Sequence, residues 1–572
     1  MSLIDWIVLI LTLISVIVFG VYKSKSAKSL DGYFKSSNSM SWMLILLSIM
    51  GTQASAITFI SAPGQAYTDG MRFVQYYFGL PFAMIILCIT FVPAFHKLKV
   101  FTAYEFLEQR FDLKTRALTS GLFLIQRGLS TGISIYAPSI ILSSLLGWNI
   151  YITNIVMGGL LIIYTVTGGS KAVAYTQMQQ LIVVFIGMFL AGYMVVHLLP
   201  STVSFSDALK VADKMGKMNI IETKIDVTDA HWWKDKYNIW SGLIGGFFLA
   251  LSYFGTDQSQ VGRYLTAKSM KESRIGLLMN GLVKVPMQFL ILMVGVLVFT
   301  FYLFYSAPIF FNQKEVEKVK ASTYQQEFIS VQSTYDSLNL IKQAQTNKLA
   351  EAIHSENKEQ MDKLKTALLS TEHLAQSTRQ EAISIISKAD KTADINDTNY
   401  IFLYFIVQNL PRGLIGLLIA MIFLAAWGSI AAALNSLSST TVIDFYQRLW
   451  MTNQTQTHYW KVARLFTLGW GIFSVGIAMF ASKLGSLIEA VNVLGSLFYG
   501  TILGIFMVAF YMKKIGGKEV FYSAVISEIL IISIYFSDII SFLWLNVIGC
   551  LLVMLMSYLF HSYFKWTSKR LF

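Results

Sequence analysis

Residues 41–67 read SWMLILLSIMGTQASAITFISAPGQAY, an apolar stretch that is long enough to cross a bilayer as a helix. Its middle, Gly51–Ser61, replaces bulky apolar side chains with small and hydroxyl-bearing ones. A helix in lipid must satisfy its own backbone hydrogen bonds, so irregular backbone occurs only beside protein or a cavity. The stretch therefore predicts either a membrane helix that is broken at mid-depth or a helix that packs closely through its small residues.

The whole chain has the composition of a multi-pass membrane protein. Of its 572 residues, 55% are hydrophobic and 13% are charged, and the mean hydropathy is +0.56. Its net charge of +13 is spread over short segments between apolar runs, which does not favour nucleic-acid binding. We predict about 13 transmembrane helices, at residues 4–22, 41–67, 73–96, 117–146, 148–168, 174–199, 237–263, 274–306, 401–447, 461–482, 485–512, 519–537 and 541–562.

The distribution of lysine and arginine predicts the orientation. Basic residues follow every odd-numbered span, whereas the alternate loops are short, neutral or mixed. The positive-inside rule then predicts a protein of the plasma (inner) membrane, with its N-terminus outside and its C-terminus in the cytoplasm. Asp5 precedes the first apolar run and Lys23, Lys25 and Lys28 follow it, an order opposite to that of a cleaved signal peptide.

Residues 309–398 differ from the rest of the chain because they are polar and contain no Gly, Pro, Trp or Cys. Apolar residues recur there with alternating spacings of four and three, from Tyr324 through Tyr335 to Leu338, and again from Met361 to Leu368. This heptad pattern predicts two long antiparallel helices outside the membrane; a disordered polar loop is the alternative. Such a hairpin would cover the outer vestibule or bind a protein partner.

A second polar interruption lies in the ninth predicted span, at Ala425–Ser436. Ala425 and Ser429 are four residues apart and share a helix face. If that face meets the broken second span, carbonyl and hydroxyl oxygens would surround a hard cation; close packing alone would also explain the small residues. The seventh span ends in another polar stretch, where a solvated helix end with Asp257 and Arg263 paired locally is the simplest interpretation.

Two basic residues fall near mid-membrane, Arg127 in the fourth predicted span and Lys284 in the eighth. Charges at that depth are costly and usually functional, although a long side chain also snorkels towards the interface. Either residue would suit a carboxylate or another anion.

The motifs taken together resemble the sodium/solute symporter family. They are Gly255–Gln258 followed by Arg263–Ser269, Leu434–Ser436 followed by Asp444–Tyr446, Ile135–Pro138, and Tyr164–Gly169. The resemblance implies an all-α membrane protein with a LeuT-type core of two inverted five-helix repeats, at 41–199 and 237–482. An extra N-terminal helix and loop at 1–40 and additional helices at 485–572 would flank this core, and the 309–398 hairpin would interrupt its second repeat.

The resemblance also implies site residues. Carbonyls of Gly51, Ala54 and Ala425 and the hydroxyl of Ser429 would bind sodium. The expected substrate-binding residues are Thr58, Tyr253 and Lys284 from the resemblance, Arg127 from its depth in the membrane, and Gln75 and Asn492 from rough register alone. Asp257, Gln258, Arg263, Asn435 and Asp444 belong to the family motifs.

Two departures from the family pattern bear on the ion. Gly428 stands where the family usually has a serine, and Gln177 stands where it often has an aspartate. Ala432 and Ala433 also replace the hydroxyl residues of a second sodium site. We therefore expect one sodium ion per substrate and no organic cofactor.

The resemblance implies a secondary active symporter that couples sodium influx to uptake of a small polar or anionic solute by alternating access. A sugar, a sialic acid or a monocarboxylate would each fit. The alternatives are a proton-coupled or sodium-independent carrier of the same fold, and a sensor that signals through the 309–398 hairpin. We expect a monomer and no enzymatic activity, because the sequence has no metal-spaced histidine cluster and no nucleophile elbow.

Overall fold

A computed structural model describes residues 1–23, 40–98, 100–223 and 232–570. These residues are helical almost throughout, and their only β-type pairing is an isolated bridge between Met40 and Ala267. The basic loop predicted after the first span, with Lys25, Lys28 and Lys35, lies outside the described residues.

Twelve α-helices precede the predicted insert. They are α1 (Leu3–Lys23), α2 (Trp42–Gln53), α3 (Ala56–Asp69), α4 (Leu80–Ile89), α5 (Phe91–Leu98), α6 (Glu105–Arg110), α7 (Leu113–Leu146), α8 (Ile150–His197), α9 (Phe205–Lys214), α10 (Gly246–Thr256), α11 (Gln258–Tyr264) and α12 (Met270–Phe304).

The remaining α-helices are α13 (Gln313–Lys320), α14 (Gln325–His354), α15 (Lys358–Ala389), α16 (Thr398–Asn409), α17 (Leu414–Thr440), α18 (Gln456–Ala478), α19 (Leu487–Tyr511), α20 (Gly517–Phe536) and α21 (Phe542–Arg570). Short 3-10 helices span Gly70–Tyr77, Trp232–Lys234 and Ala481–Lys483, and π-helical turns span Ser241–Gly245 and Thr441–Trp450.

Nine helical segments of the described chain are long and apolar enough to cross a membrane, and four shorter apolar helices accompany them. Each of the predicted spans coincides with one or more of these segments, so the predicted positions of the apolar helices are confirmed. The number of crossings and the boundaries of the two repeats stay predictions.

The fifth and sixth predicted spans form one helical segment, α8, instead of two helices separated by a loop. A straight helix would separate residues 164 and 176 by about 18 Å. Yet the Tyr164 hydroxyl lies 2.7 Å from the Thr176 hydroxyl. The segment must therefore bend sharply between these residues, although its backbone stays helical throughout.

The ninth predicted span, 401–447, consists of two helices with a break between them. α16 ends at Asn409, Pro411 and Gly413 follow, and Gly413 takes the positive φ of +88° that glycine tolerates best. The Gly413 amide donates to the buried carboxylate of Asp5 at 2.5 Å, which ties helix α1 to the start of α17.

The second predicted span is broken at Ala54 and Ser55, where the ψ angles are 86° and 174° instead of helical. The Ser55 amide donates to the carbonyl of Gln53 at 3.0 Å, so it is turned away from Gly51, its partner in a continuous helix. The prediction of a broken helix is confirmed, and the break frees backbone carbonyls inside the protein.

A second break lies at Asp257, between α10 and α11, where ψ is 117°. The sequence suggested a solvated helix end in which Asp257 pairs with Arg263. Instead, Asp257 is 1% exposed and its carboxylate lies 3.1 Å from the guanidinium of Arg127. The Tyr499 hydroxyl donates to the same carboxylate at 2.8 Å. The pairing fails with Arg263 because the carboxylate points into the bundle, towards α7 and α19.

The predicted hairpin is confirmed as two long helices, α14 and α15, joined by a three-residue turn. Phe328, Val331 and Tyr335 are buried along the predicted seam, and Lys342 pairs with Glu372 across it at 2.9 Å. A shorter helix, α13, precedes the pair and was not predicted. Asn339 donates to the carbonyl of Ala307 at 3.1 Å, so the hairpin rests on the end of α12.

The base of the hairpin is tied to the core. Arg379 of α15 pairs with Asp397, and the Asp397 carboxylate accepts the Phe311 amide at 2.6 Å. The Phe311 ring lies 5.6 Å from the ring of Tyr67. Tyr67 belongs to α3, the second half of the broken helix. The hairpin is thus in contact with the half-helix that follows the first break.

The carboxyl of Asp394 connects the hairpin base to two core helices. It accepts long hydrogen bonds from Tyr136 of α7 at 3.4 Å and from Tyr400 of α16 at 3.3 Å. Burial raises the pKa of the Asp394 carboxyl to about 7. Because the folded-state pKa lies above the unfolded value of about 3.9, the protonated form favours folding.

The first prediction concerns pH. Protonated Asp394 contributes at most about a few kcal/mol to the free energy of unfolding. This contribution is present below about pH 4 and is lost as pH rises towards 7. Asp394→Asn should therefore flatten the fall in melting temperature of the purified protein between about pH 5 and 8. Asp390→Asn is the control, because hydrogen bonding to Thr392 lowers the pKa of Asp390. An unchanged slope in Asp394→Asn would contradict the assignment.

The second prediction concerns the buried pair. Arg127→Gln and Asp257→Asn should each cost about 3–5 kcal/mol, because each leaves one charge buried and unpaired. The double variant should recover much of that loss. Thermal unfolding of the four proteins gives the coupling energy, and the exposed pair of Lys234 and Asp538 provides a control worth at most about 1 kcal/mol. Additive losses would show that the two charges do not interact.

Candidate functional site

One cavity of about 130 Å³ lies beside both helix breaks. Thr52, Gln53 and Ser55 line it at the first break, and Tyr253 and Phe254 line it just before the second. Helices α7, α12, α17 and α19 complete the wall. Irregular backbone at this depth is thus exposed to an internal cavity instead of lipid, as the physics of a bilayer requires.

The structure brings the two predicted polar interruptions together. Helix α17 packs against both α2 and α3, and Ser429 lines the same cavity as Thr52 and Ser55. The Ser429 hydroxyl donates to the carbonyls of Ala425 and Ala426 at 3.0 and 3.1 Å, so its oxygen lone pairs stay available to a cation. Ser429 is the one of the four predicted sodium ligands that lines the cavity, whereas Gly51, Ala54 and Ala425 are buried in α2, just after it and in α17, which are in contact.

Gln177 occupies the space between the first break and α17. Its amide oxygen accepts from Ser48 at 3.0 Å, and its amide nitrogen donates to Thr52 at 3.2 Å and to the carbonyl of Gly428 at 3.0 Å. A methyl group on Gly51 would lie 2.9 Å from the Cβ of Gln177. A neutral donor therefore lies beside the predicted sodium ligand Gly51, at the position where the resemblance leads us to expect an acid.

Gly428, the second departure from the family pattern, has a steric explanation. A Cβ at this position would lie 2.3 Å from the amide oxygen of Gln180 and 3.2 Å from Gln177. The serine that the family usually has here would need Gln180 to move. The two departures are thus physically linked, through the packing of α8 against α17.

Five of the six predicted substrate-binding residues line the cavity. They are Thr58, Arg127, Tyr253, Lys284 and Asn492. The Asn492 oxygen accepts from Tyr76 at 3.0 Å, and the Arg127 guanidinium lies 5.6 Å from the centre of the Tyr253 ring. Arg127 is also neutralised by Asp257, whereas Lys284 has no acidic neighbour within ion-pair distance among the described residues.

Gln75 is the exception, and the structure does not bring it to the cavity. Its side chain is fully buried behind the 3-10 helix, where its amide nitrogen donates to the carbonyl of Tyr237 at 3.0 Å. Its amide oxygen accepts from the amide of Glu222 at 3.1 Å. Gln75 therefore holds a loop in place. The prediction failed because the assumed register placed this side chain on the wrong side of its segment.

The motif residues lie mostly outside the cavity wall. Gln258 bonds the backbone of Ala103 and Phe101, both at 3.0 Å, and Asp444 accepts from Arg116 and from Thr102 at 2.8 Å. These bonds join α11 and the end of α17 to the loop before α6. Arg263 and Asn435 are buried without lining the cavity. The motifs therefore hold the helices together, and only Asp257 acts next to the cavity.

Sequence reasoning missed the polar face that α7 presents. Gln126, Ser130, Thr131 and Ser134 line the cavity beside Arg127. Their spacing of three and four residues places them on one helix face, so the signal was present in the sequence. Tyr76, Tyr77 and Tyr499 also line the cavity, and no local pattern distinguishes them from ordinary core aromatics.

Comparison with known proteins agrees with this geometry. A sequence model of the sodium:solute symporter family matches residues 33–327 and 378–527, leaving out most of α14 and α15. The chain is 26% identical to the sodium/sialic acid symporter SiaT of Proteus mirabilis, over 96% of its own length and 93% of the relative's. It is 30% identical to human sodium-coupled monocarboxylate transporter 1 over 41% of its length and 37% of that protein's.

Among solved structures, the chain resembles a sodium-coupled sialic acid symporter in a substrate-bound outward-open state. The TM-score is 0.74 at 23% identity, and the alignment covers 98% of both chains. This likeness confirms the predicted LeuT-type fold. With matches that cover most of its length, the chain belongs to the sodium:solute symporter family.

Proposed function

We propose that the chain carries one sodium ion and one small polar or anionic solute inward per cycle by alternating access. The observation that carries the proposal is the shared cavity, which the predicted sodium-site hydroxyl and five predicted substrate-binding side chains line together. A sugar, a sialic acid or a monocarboxylate fits the family's range, and relatives bear the names of sialic acid and monocarboxylate carriers.

Sodium would bind between the first break and α17, to carbonyls of Gly51, Ala54 and Ala425 and to the hydroxyl of Ser429. The break supports this assignment because the Ser55 amide bonds Gln53 instead of Gly51. Among the described residues no cluster of three His, Cys, Asp or Glu could hold a metal, so a monovalent ion with neutral oxygen ligands is the better match.

Coupling would follow from where the ion sits. Sodium bound to both α2 and α17 favours the conformation in which those helices are close, and the same conformation completes the cavity wall. A ligand shifts a conformational equilibrium only by its differential affinity for the two states. Separation of the helices would therefore weaken the sodium site and the solute site together.

A stoichiometry of one sodium is supported by the contacts of Gln177. Its amide nitrogen donates to Thr52 and to the Gly428 carbonyl, so it presents hydrogen atoms where a second cation would need oxygen. Ala432 and Ala433 add no hydroxyl on the facing helix.

We further propose a monomer in the plasma (inner) membrane, with the N-terminus outside and the C-terminus in the cytoplasm. The alternation of basic and neutral loops supports the orientation. The hairpin of α14 and α15 would then lie outside, where it is open to a protein partner.

The third prediction tests the sodium site. Ser429→Ala should raise the sodium concentration for half-maximal uptake into proteoliposomes about 10- to 100-fold, since it removes one bond to a charged ligand. Ser436→Ala is the matched control, because that hydroxyl lies on the same helix, donates to Ala432 at 2.8 Å and does not line the cavity. Unchanged sodium dependence in Ser429→Ala would reject the site, and uptake driven by a pH gradient alone would favour proton coupling.

The fourth prediction tests the stoichiometry. Initial uptake should depend hyperbolically on sodium, with a Hill coefficient of about one, because the proposed mechanism has a single sodium site. Dual-label flux with radioactive sodium and solute should give a ratio near one. A ratio near two would show that Gln177 does not exclude a second ion.

A further inference from the structure

Lys284 lies near the middle of α12, and its ammonium faces the central cavity. The residue is 1% exposed, and its nitrogen lies 5.7 Å from the centre of the Tyr77 ring. Among the described residues no hydrogen bond or ion pair reaches this ammonium. A buried charge without a partner is costly at this depth, so its retention in the cavity wall calls for a ligand.

Among the residues that the structure describes, no acid lies within ion-pair distance of Lys284. One helical turn away on either side, on the same face of α12, are Asn280 and Gln288, which are fully buried amides. None of their side-chain amide atoms has a hydrogen-bond partner in the described structure. These amides add neutral donors and acceptors beside the ammonium and leave its charge unbalanced.

In the part of the chain that the structure describes, the helices packed around the middle of α12 bring no acid to Lys284. Helices α2, α4 and α8 contain no Asp or Glu, and α3 carries only Asp69, at its last position. The Asp69 carboxylate already accepts a hydrogen bond from Gln65. Glu272 lies twelve residues before Lys284 on α12, about 18 Å along the axis, and accepts the Trp42 amide.

Arg127, the other cation of the cavity, is balanced. Asp257 neutralises it at 3.1 Å, and the Tyr253 ring lies against its guanidinium. When Asp257 is counted with Arg127, its partner, the cavity wall carries one unbalanced positive charge, that of protonated Lys284. With sodium bound to neutral oxygens the loaded cavity would hold two positive charges, unless the solute brings a negative one.

We propose that the transported solute is a monoanion whose charged group binds the ammonium of Lys284, and that one cycle moves no net charge across the membrane. The proposal rests on the proposed one-sodium symport, because one Na⁺ and one monoanion cancel. The charge of Lys284 returns with the empty carrier and does not enter the balance.

The first test compares acids with their neutral amides. Pyruvate and pyruvamide, lactate and lactamide, and nicotinate and nicotinamide form pairs, with N-acetylneuraminate and its methyl ester as a larger pair. Melting temperatures of the purified protein in sodium would be measured for wild type, Lys284→Gln and Lys284→Arg. Lys483→Gln is the control that removes an exposed lysine outside the cavity wall.

At least one acid should stabilise wild type more than its neutral partner does. Lys284→Gln should bind that acid about 10- to 100-fold more weakly, whereas Lys284→Arg and Lys483→Gln should keep the preference. Without solute, Lys284→Gln should be at least as stable as wild type, because an unpaired buried charge is gone. Stabilisation by neutral solutes alone, by none of the acids, or equally in Lys284→Gln overturns the proposal.

The second test measures charge movement. Proteoliposomes with a fixed sodium gradient would take up the labelled acid found in the first test, with and without an inside-negative potassium diffusion potential set by valinomycin. The accumulation ratio reached at steady state should be the same in both conditions, because a cycle that moves no net charge gains no free energy from the membrane potential. A several-fold increase with the inside-negative potential would show net inward positive charge and overturn electroneutrality.

The two tests separate this inference from the proposed function. Sodium-dependent uptake of a neutral solute would support the proposed symport and reject the proposal that the solute is a monoanion. An acid that binds through Lys284, yet is transported equally well without sodium, keeps the anion site and rejects the symport.

Discussion

Every backbone amide and carbonyl in the hydrocarbon core must find a partner inside the protein, and the rest of this structure depends on that constraint. In the described structure two apolar helices nevertheless break, at Ala54–Ser55 and at Asp257. Other helices enclose each break, and residues beside both breaks line one cavity. The first break would be costly in lipid, and here it frees backbone carbonyls close to where α2, α3 and α17 meet.

Charge inside the membrane follows the same logic. Arg127 and Asp257 are buried as a pair, and the hydroxyls of Tyr499 and Ser259 satisfy further lone pairs of the carboxylate. Such a pair contributes little net stability but is costly to break, so it fixes where α11 begins relative to α7. Lys284 is buried without this compensation, which makes it the place where the charge of a solute matters.

The neutral bridge made by Gln177 has a structural and a functional side. Three hydrogen bonds join it to Ser48, Thr52 and Gly428, so it links α2, α8 and α17 without an ion. The glycines at 51 and 428 leave the room that it and Gln180 occupy. In this chain an amide therefore keeps the three helices in contact, and the glycines on the facing helices leave the space for it.

Residue patterns that act locally were predictable. Apolar runs locate the membrane helices, the heptad seam locates α14 and α15, and the small residues around Ala54 are consistent with a break. These features depend on side chains that are close together in the sequence, so a local pattern predicts them. The bend within α8 was predictable as an interruption, because Gly168 and Gly169 lie where the two predicted spans meet, but the continuous helical backbone through it was not. The prediction that Gln75 binds substrate failed because a small error in the assumed register turns a side chain to another face of its segment.

The sequence by itself determined the membrane class, the family and the residue types of the site. Only the tertiary structure decided which charges pair. Asp257 has Arg263 six residues away along the chain, yet it binds Arg127, which is 130 residues distant. The choice depends on the direction in which a broken helix points its carboxylate, and that direction is set by packing among helices far apart in the chain. The unpaired state of Lys284 was likewise decided in three dimensions, because a charge is balanced or left alone only by what packs around it.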